Sequence, residues 1–171
     1  AGGPECRGFE KRPVDPDLYQ EVLSTYRSVE SELMLEEGGA IGTFVSTVRP
    51  DLPPSLYREV EEFNALVHKI LKPLHEEWCR FELTPSACYG FRVYLSGAFL
   101  HDHVDRPHTH VISSTLCVDR DVYTPWNLHA VDADGQEREV SVEPGELLLY
   151  ESARILHGRP VPLNGRFYAG L

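Results

Sequence analysis

The segment RVYLSGAFLHDHVD, residues 92–105, decides how this chain folds. It begins with a strand-like run of β-branched and aromatic residues, turns at Gly97 and ends in the pattern His103-x-Asp105. Residues two apart in a strand point to the same face, so we expect both side chains to reach one metal ion. A third candidate ligand, His157, follows the apolar run ELLLY at residues 146–150. The fold must therefore bring distant strands together, as a barrel does.

Two imidazoles and one carboxylate can occupy one face of an octahedral metal and leave the opposite face open. This arrangement is typical of non-heme Fe(II) oxygenases. His101 and His108 are interpreted instead as solvent-facing or hydrogen-bonding residues. His110 is a candidate residue for lining the pocket. Arg92 and Arg106 are interpreted as surface or ion-pair residues.

Two amphipathic helices are predicted before this region. The first begins at Asp15-Pro16, carries apolar residues at steps of three and four, and ends at Gly38-Gly39. A loop over residues 40–54, with a short strand at 41–48, follows. Ser55 is the predicted cap of the second helix, and Pro73 should kink it. Residues 1–14 are predicted to be a polar tail.

After residue 82, short β-branched and aromatic runs alternate with turns. Asp134-Gly135 is a strong hairpin signal, and Pro144-Gly145 marks another turn. The predicted strands are Cys88–Leu95, Thr109–Val118, Asn127–Asp132, Glu139–Glu143, Glu146–Tyr150 and Arg166–Leu171. The sequence therefore predicts a mainly β fold with N-terminal helices (α+β). We expect one domain over residues 1–171, with supporting helices at 15–80 and a double-stranded β-helix, or jelly roll, at 82–171.

Composition narrows the class of partner. The chain has 171 residues, 42% of them apolar, and a net charge of −11, which argues against nucleic acid or an anionic membrane as a partner. No membrane-spanning run or signal peptide is visible. The start without Met and the end inside an apolar run indicate a fragment, so the compartment is unassigned. The four cysteines, Cys6, Cys79, Cys88 and Cys117, have no CxxC spacing, which argues against zinc and a catalytic dithiol.

The residues from 89 to 171 resemble the catalytic module of Fe(II)- and 2-oxoglutarate-dependent oxygenases, and most closely the prolyl 4-hydroxylase type. The matching stretches are residues 92–105, VEPGELLLY at 142–150 and HGRPVPLNGR at 157–166. Together they cover about half of the chain, in family-like order and spacing. The two preceding helices also resemble the family.

The resemblance implies that His103, Asp105 and His157 bind Fe(II), with 2-oxoglutarate and O₂ as co-substrates and ascorbate as a further cofactor. It implies Arg166 as the cation for the distal carboxylate of 2-oxoglutarate, with support from the Tyr94 hydroxyl. Arg159, two residues after His157, is the second candidate, and only one of the two arginines can be right. Tyr94 has the alternative role of a plain core tyrosine.

The implied reaction is hydroxylation of a C–H bond, with release of succinate and CO₂. The implied partner is a protein or peptide substrate that contains proline. Tyr123 and Trp126 are candidates either for its binding groove or for the core. Three alternatives stay open: an oxygenase acting on a small molecule or another side chain, a jelly-roll binding module with a vestigial metal site, and a cupin-type iron enzyme without 2-oxoglutarate.

Overall fold

The computed structural model describes residues 8–36 and 44–171. Within these ranges the chain forms two α-helices, one short 3₁₀ turn and twelve strands. The helices are α1 (Pro16–Val29) and α2 (Glu61–Cys79). The strands are β1 (Phe9–Pro13), β2 (Met34–Leu35), β3 (Val45–Thr47), β4 (Ser55–Arg58), β5 (Phe91–Leu95), β6 (Ala98–His103), β7 (Ser113–Val122), β8 (Leu128–Val131), β9 (Glu137–Val140), β10 (Glu146–Tyr150), β11 (His157–Arg159) and β12 (Gly165–Gly170).

The strands form two antiparallel sheets. The larger has the order β1-β10-β7-β12-β5-β4-β2, and the smaller has the order β3-β6-β11-β8-β9. Neighbouring strands in space are mostly distant in sequence, as expected for a jelly roll. The predicted mainly β fold with N-terminal helices is confirmed.

Side-chain alternation in the larger sheet separates two cores. In β10, Leu147 and Leu149 belong to the cluster that also contains buried residues of α1 and α2. Leu148, between them, belongs to the second cluster with Cys117 and Tyr168. Adjacent residues of a strand point to opposite faces, so one face of the sheet packs on the helices and the other lines the barrel interior.

The first helix starts where predicted and ends early. The Asp15 side chain accepts hydrogen bonds from the amides of Asp17 and Leu18, and Val22 and Tyr26 are buried on the helix face. The helix gives way to the 3₁₀ turn Glu30–Glu32 and then to β2. The predicted end at residues 38–39 lies outside the described residues, as do Cys6 and the first residues of the predicted strand at 41–48.

The predicted start of the second helix at Ser55 is wrong. Residues 55–58 instead form β4, which pairs with β5 and places Ser55 opposite Tyr94. Tertiary pairing therefore overrides the capping signal, and α2 begins only at Glu61. The helix continues through Pro73, with Phe63, Val67, Leu71 and Trp78 buried along its inner face.

Most strand predictions hold within a few residues, with two differences. Residues 9–13, predicted to be part of a polar tail, form β1 and pair with β10 at the edge of the larger sheet. The three-residue strand β11 was not predicted, although it carries His157. The predicted hairpin at Asp134-Gly135 is confirmed, since β8 and β9 pair across it and Gly135 has a φ of +77°.

None of the helices in the described parts of the chain is both long enough and apolar enough to cross a membrane.

Gly158 sets the spacing between β11 and β6. A Cβ atom at this position would lie 2.5 Å from Asp102 Oδ1 and 2.8 Å from the Leu100 carbonyl oxygen. We expect Gly158→Ala to push the two strands apart and to lower the free energy of unfolding by about 1–3 kcal/mol, measured by urea denaturation. Gly170→Ala in β12 is the matched control, since its Cβ would find its nearest neighbour at 3.7 Å. Equal stability of the two variants would contradict this account.

Candidate metal centre

Two of the three predicted ligands face each other across a strand pair. His103 is the last residue of β6 and His157 is the first residue of β11. The two strands are antiparallel, and their register places His157 opposite His103. The ring centroids lie 4.6 Å apart. The sheet thus brings together two histidines that are separated by more than fifty residues of sequence.

Asp105 reaches the same point from a loop. The prediction that it shares a strand with His103 is wrong, because β6 ends at His103. Its backbone amide instead donates a hydrogen bond to the Ser152 carbonyl oxygen at 2.8 Å. Its Oδ1 lies 3.4 Å from His103 Nε2 and 3.8 Å from His157 Nε2. The ligand atoms of these three residues all lie within 4.8 Å of one another, close enough to surround one ion.

Backbone carbonyls fix the orientation of both histidine rings. His103 Nδ1 lies 2.7 Å from the His101 carbonyl oxygen, and His157 Nδ1 lies 2.8 Å from the Ile155 carbonyl oxygen. A carbonyl oxygen only accepts hydrogen bonds, so each Nδ1 carries the proton. In the neutral rings this leaves the Nε2 lone pairs directed at Asp105 and available to a metal.

The electrostatics of the three groups favour a positive charge between them. Burial alone would lower the pKa of His103, but the Asp105 carboxylate and the His101 carbonyl more than offset it, and the pKa is raised. Burial would raise the pKa of Asp105, but hydrogen bonding to His103 and the charge of the nearby histidines hold it low. Burial lowers the pKa of His157. His103 therefore holds a proton more readily than a free imidazole because it lies beside the Asp105 carboxylate, and a divalent metal bound by the three groups would take the place of that proton.

Arg159 lies inside the barrel, on the same strand as His157. Its side chain is buried, at 4% exposure. Its guanidinium lies over both the Trp126 and Tyr168 rings, at 4.6 and 4.5 Å from their centroids. It donates hydrogen bonds to the Trp126 carbonyl oxygen and to the Tyr168 hydroxyl, which lies 3.2 Å away. Among the described residues, no carboxylate pairs with it.

Arg166 lies on the outside of the barrel. Its side chain is 72% exposed and forms an ion pair with Asp121 at 3.1 Å. Pairing in β12 shifts register between Gly165 and Phe167. Tyr168, rather than Arg166, is the residue of this strand that is buried in the interior cluster. The structure therefore gives no support to Arg166 as the cation for 2-oxoglutarate, and the sequence spacing failed because it cannot show this irregularity.

Tyr94 packs against the same interior cluster, with its ring 5.0 Å from that of Trp126. Trp126 is buried, so it is a core residue of the barrel, whereas Tyr123 is exposed. Arg92, two residues before Tyr94 on β5, was predicted to be a surface or ion-pair residue. It does form an ion pair, a two-pronged one with Glu36 at 3.0 and 2.9 Å, but its side chain is largely buried.

Two further residues near the centre were not assigned a clear role from the sequence. The Tyr89 hydroxyl and His110 Nε2 share a hydrogen bond of 2.7 Å. The two rings are nearly parallel. The Asp105 carboxylate contributes, after burial, to raising the pKa of Tyr89. His110 was a candidate pocket residue because of its position in the chain, but Tyr89 had no motif around it that could have revealed its place.

No protein-family model matches this sequence, and no curated protein matches it either. The fold, however, is similar to that of solved oxygenase structures. A prolyl-4-hydroxylase from Pseudomonas putida aligns at 20% identity and a TM-score of 0.60, over 96% of this chain and 89% of that one. A prolyl hydroxylase from Trichoplax adhaerens, solved with a peptide fragment of the hypoxia inducible factor oxygen degradation domain, aligns at 12% identity and a TM-score of 0.65, over 96% and 82%.

A third similar structure is HygX from Streptomyces hygroscopicus, solved with nickel, 2-oxoglutarate and hygromycin B bound. It aligns at 15% identity and a TM-score of 0.57, over 97% of this chain and 81% of that one. At these identities the likeness establishes a shared fold. The chain thus has the double-stranded β-helix of prolyl hydroxylases and related oxygenases, as the resemblance in its sequence predicted.

Removing one ligand should abolish metal binding without unfolding the barrel. We expect His157→Ala to weaken the binding of Fe(II) by more than about 100-fold, because two ligands remain of three. Anaerobic isothermal titration calorimetry measures this. His101→Ala is the matched control: its ring contacts Ser46 and lies outside the triad, while the backbone carbonyl that orients His103 is kept. Unchanged affinity in His157→Ala would show that the ion binds elsewhere.

Proposed function

We propose that this protein is an Fe(II)- and 2-oxoglutarate-dependent dioxygenase that hydroxylates prolyl residues in a protein or peptide. The observation that carries the proposal is the coexistence of two features in one barrel. One is the set of His103, Asp105 and His157 with converging ligand atoms. The other is the buried guanidinium of Arg159, two residues further along β11.

The triad fits Fe(II). Two imidazole nitrogens and a carboxylate oxygen are the donors of the facial triad in non-heme iron oxygenases. The three protein ligands would leave coordination positions for a bidentate keto acid and for O₂. His103, Asp105 and His157 would hold the iron, which would supply oxidation chemistry coupled to the decarboxylation of 2-oxoglutarate to succinate and CO₂. The chain itself contributes the orientation of the two rings and the burial of the site.

Arg159 fits the distal carboxylate of 2-oxoglutarate. A buried guanidinium without an acidic partner is costly unless a ligand supplies the anion. Arg159 has five N–H donors, and its two observed hydrogen bonds leave others for a carboxylate. Two residues of a strand span about 7 Å, a distance that a five-carbon diacid can bridge between the metal and Arg159. Tyr94, which packs against Trp126, is the proposed second residue of this cofactor site.

A prolyl substrate is the finer part of the proposal. Val104 and Leu156, each adjacent in sequence to a metal ligand, are large apolar side chains exposed to solvent, and so is Tyr89. An apolar rim of this kind suits a proline ring presented by an extended peptide. Two of the similar structures are prolyl hydroxylases, one of them with a peptide bound. We propose ascorbate as the reductant that keeps the iron in its ferrous state.

A small-molecule substrate is the second candidate, and the similarity to HygX with hygromycin B bound favours it. Two further hypotheses, a vestigial metal site and a cupin-type iron enzyme, predict different biochemical behaviour. A vestigial site in a binding module would bind Fe(II) without forming succinate. A cupin-type iron enzyme would need no cation for a carboxylate inside the barrel, and the position of Arg159 argues against it.

Succinate formation from 2-oxoglutarate, measured with Fe(II) and ascorbate, tests the proposal. We expect a proline-rich peptide to stimulate turnover and His103→Ala to abolish it. Turnover that the peptide does not stimulate would keep the chemistry and favour the small-molecule alternative. Absence of succinate in protein that binds Fe(II) would favour the vestigial module.

The same assay separates the two arginines. We expect Arg159→Gln to raise the KM for 2-oxoglutarate by about 10- to 100-fold, since a charge-assisted hydrogen bond to a carboxylate is lost. Arg166→Gln is the matched control, because it removes an exposed charge from β12, in the other sheet, and should leave this KM within about twofold. The opposite ranking of the two variants would overturn the assignment of Arg159.

A further inference from the structure

Tyr89 is a partly exposed aromatic residue that is held rigidly in place. Its side chain is 47% exposed, yet its hydroxyl is hydrogen-bonded to His110 Nε2 at 2.7 Å. The two rings are nearly parallel, at 5° and 5.8 Å between centroids. His110 is itself fixed from the other side, since its Nδ1 lies 2.7 Å from the Thr109 hydroxyl. Half-exposed tyrosines with both ring and hydroxyl restrained present a preorganised surface to a ligand.

A buried serine connects this pair to the metal centre. Ser152 has no exposed surface. Its carbonyl oxygen accepts the hydrogen bond from the amide of Asp105 at 2.8 Å, and its hydroxyl donates to the His110 carbonyl oxygen at 2.9 Å. Ser113 Oγ lies 2.7 Å from the same hydroxyl. The path Asp105–Ser152–His110–Tyr89 therefore fixes the position of the aromatic pair relative to a proposed metal ligand.

A turn after Asp105 brings His110 back toward the Asp105 carboxylate. The amides of Thr109 and His110 both donate to the Arg106 carbonyl oxygen, at 3.1 and 2.9 Å. The chain therefore folds back after Asp105, so that His110 returns to the neighbourhood of the carboxylate. The Asp105 carboxylate contributes, after burial, to the raised pKa of Tyr89.

We propose that Tyr89, held by His110, is a specificity-determining residue that contacts the ring of the substrate beside the metal, and that Ser152 is the positioning residue for this contact. The inference rests on the proposed function and adds to it the residue, Tyr89, that selects a proline ring. An aromatic face packs well against the apolar pyrrolidine ring of proline, and Tyr89 loses little conformational freedom on binding because its hydroxyl is already hydrogen-bonded. Its hydroxyl is occupied by His110, so the ring face is the part that is left for the substrate.

Kinetics with a decameric poly-L-proline peptide test this inference. We expect Tyr89→Ala to raise the KM for the peptide by about tenfold and to lower the amount of hydroxyproline formed per succinate, because the target ring is no longer held in place. Tyr89→Phe keeps the ring and loses the hydrogen bond to His110, so we expect an intermediate effect. Phe81→Ala is the matched control: Phe81 has a similar exposed fraction, 45%, but lies in the loop after α2.

Ser152→Ala tests the positioning role separately. It keeps the backbone carbonyl that binds Asp105 and removes the hydroxyl that binds the His110 carbonyl. We expect Fe(II) affinity to stay within about threefold of the wild type, while the ratio of hydroxyproline to succinate falls by about half or more. A purely structural role would lower both readouts together and would overturn this part of the inference.

The outcomes separate the inference from the proposed function. Peptide-stimulated turnover in the wild type, with a raised KM in Tyr89→Ala and an unchanged KM in Phe81→Ala, supports both. Stimulated turnover with the same KM in wild type and Tyr89→Ala overturns the role of Tyr89 and leaves the prolyl hydroxylase proposal intact. A wild-type protein that the peptide does not stimulate overturns the prolyl substrate itself, and with it the proline-selecting role of Tyr89.

Discussion

The pairing of β6 with β11 is the constraint on which the rest of the site depends. It places His157 directly opposite His103, although the two residues are far apart in sequence. Gly158 lets the strands approach closely enough for this register, since any side chain there would meet Asp102 and the Leu100 carbonyl. The candidate metal centre therefore depends on one antiparallel ladder, to which a single loop adds the carboxylate of Asp105. Backbone carbonyls hydrogen-bond both imidazoles, and Phe44 stacks on His103 while Tyr150 packs edge-on against His157.

The same strand links the metal centre to the interior of the barrel. β11 has only three residues. Its first and last are His157 and Arg159, which are both buried, and the register of β11 against β6 shifts between them. His157 is a candidate metal ligand, and Arg159 is a buried cation in contact with two aromatic rings. The distance between His157 and Arg159 along the strand is similar to the distance between the two ends of a five-carbon dicarboxylate. Burial of the Arg159 guanidinium is unfavourable by itself, and an anionic ligand bound beside it would offset that cost.

Sequence patterns predicted the fold class and the convergence of His103, Asp105 and His157, because hydrophobic periodicity and short motifs are local signals. They failed where tertiary structure decides. Ser55 has the chemistry of a helix cap, yet pairing with β5 draws it into a strand. Arg166 has family-like spacing, yet the register shift in β12 turns it outward. Asp105 joins the triad through the Ser152 carbonyl, a contact that no spacing rule encodes. Tyr89 lies outside every motif and depends on His110 for its position.

The most direct test of this account is a crystal structure of the protein with Mn(II) and 2-oxoglutarate. Manganese prefers oxygen and nitrogen donors in a geometry close to that of Fe(II) and does not drive turnover. The account predicts the ion between His103, Asp105 and His157, the keto acid end of 2-oxoglutarate on the ion, and the distal carboxylate on Arg159. A distal carboxylate bound at Arg166, or an ion bound away from the three ligands, would contradict it.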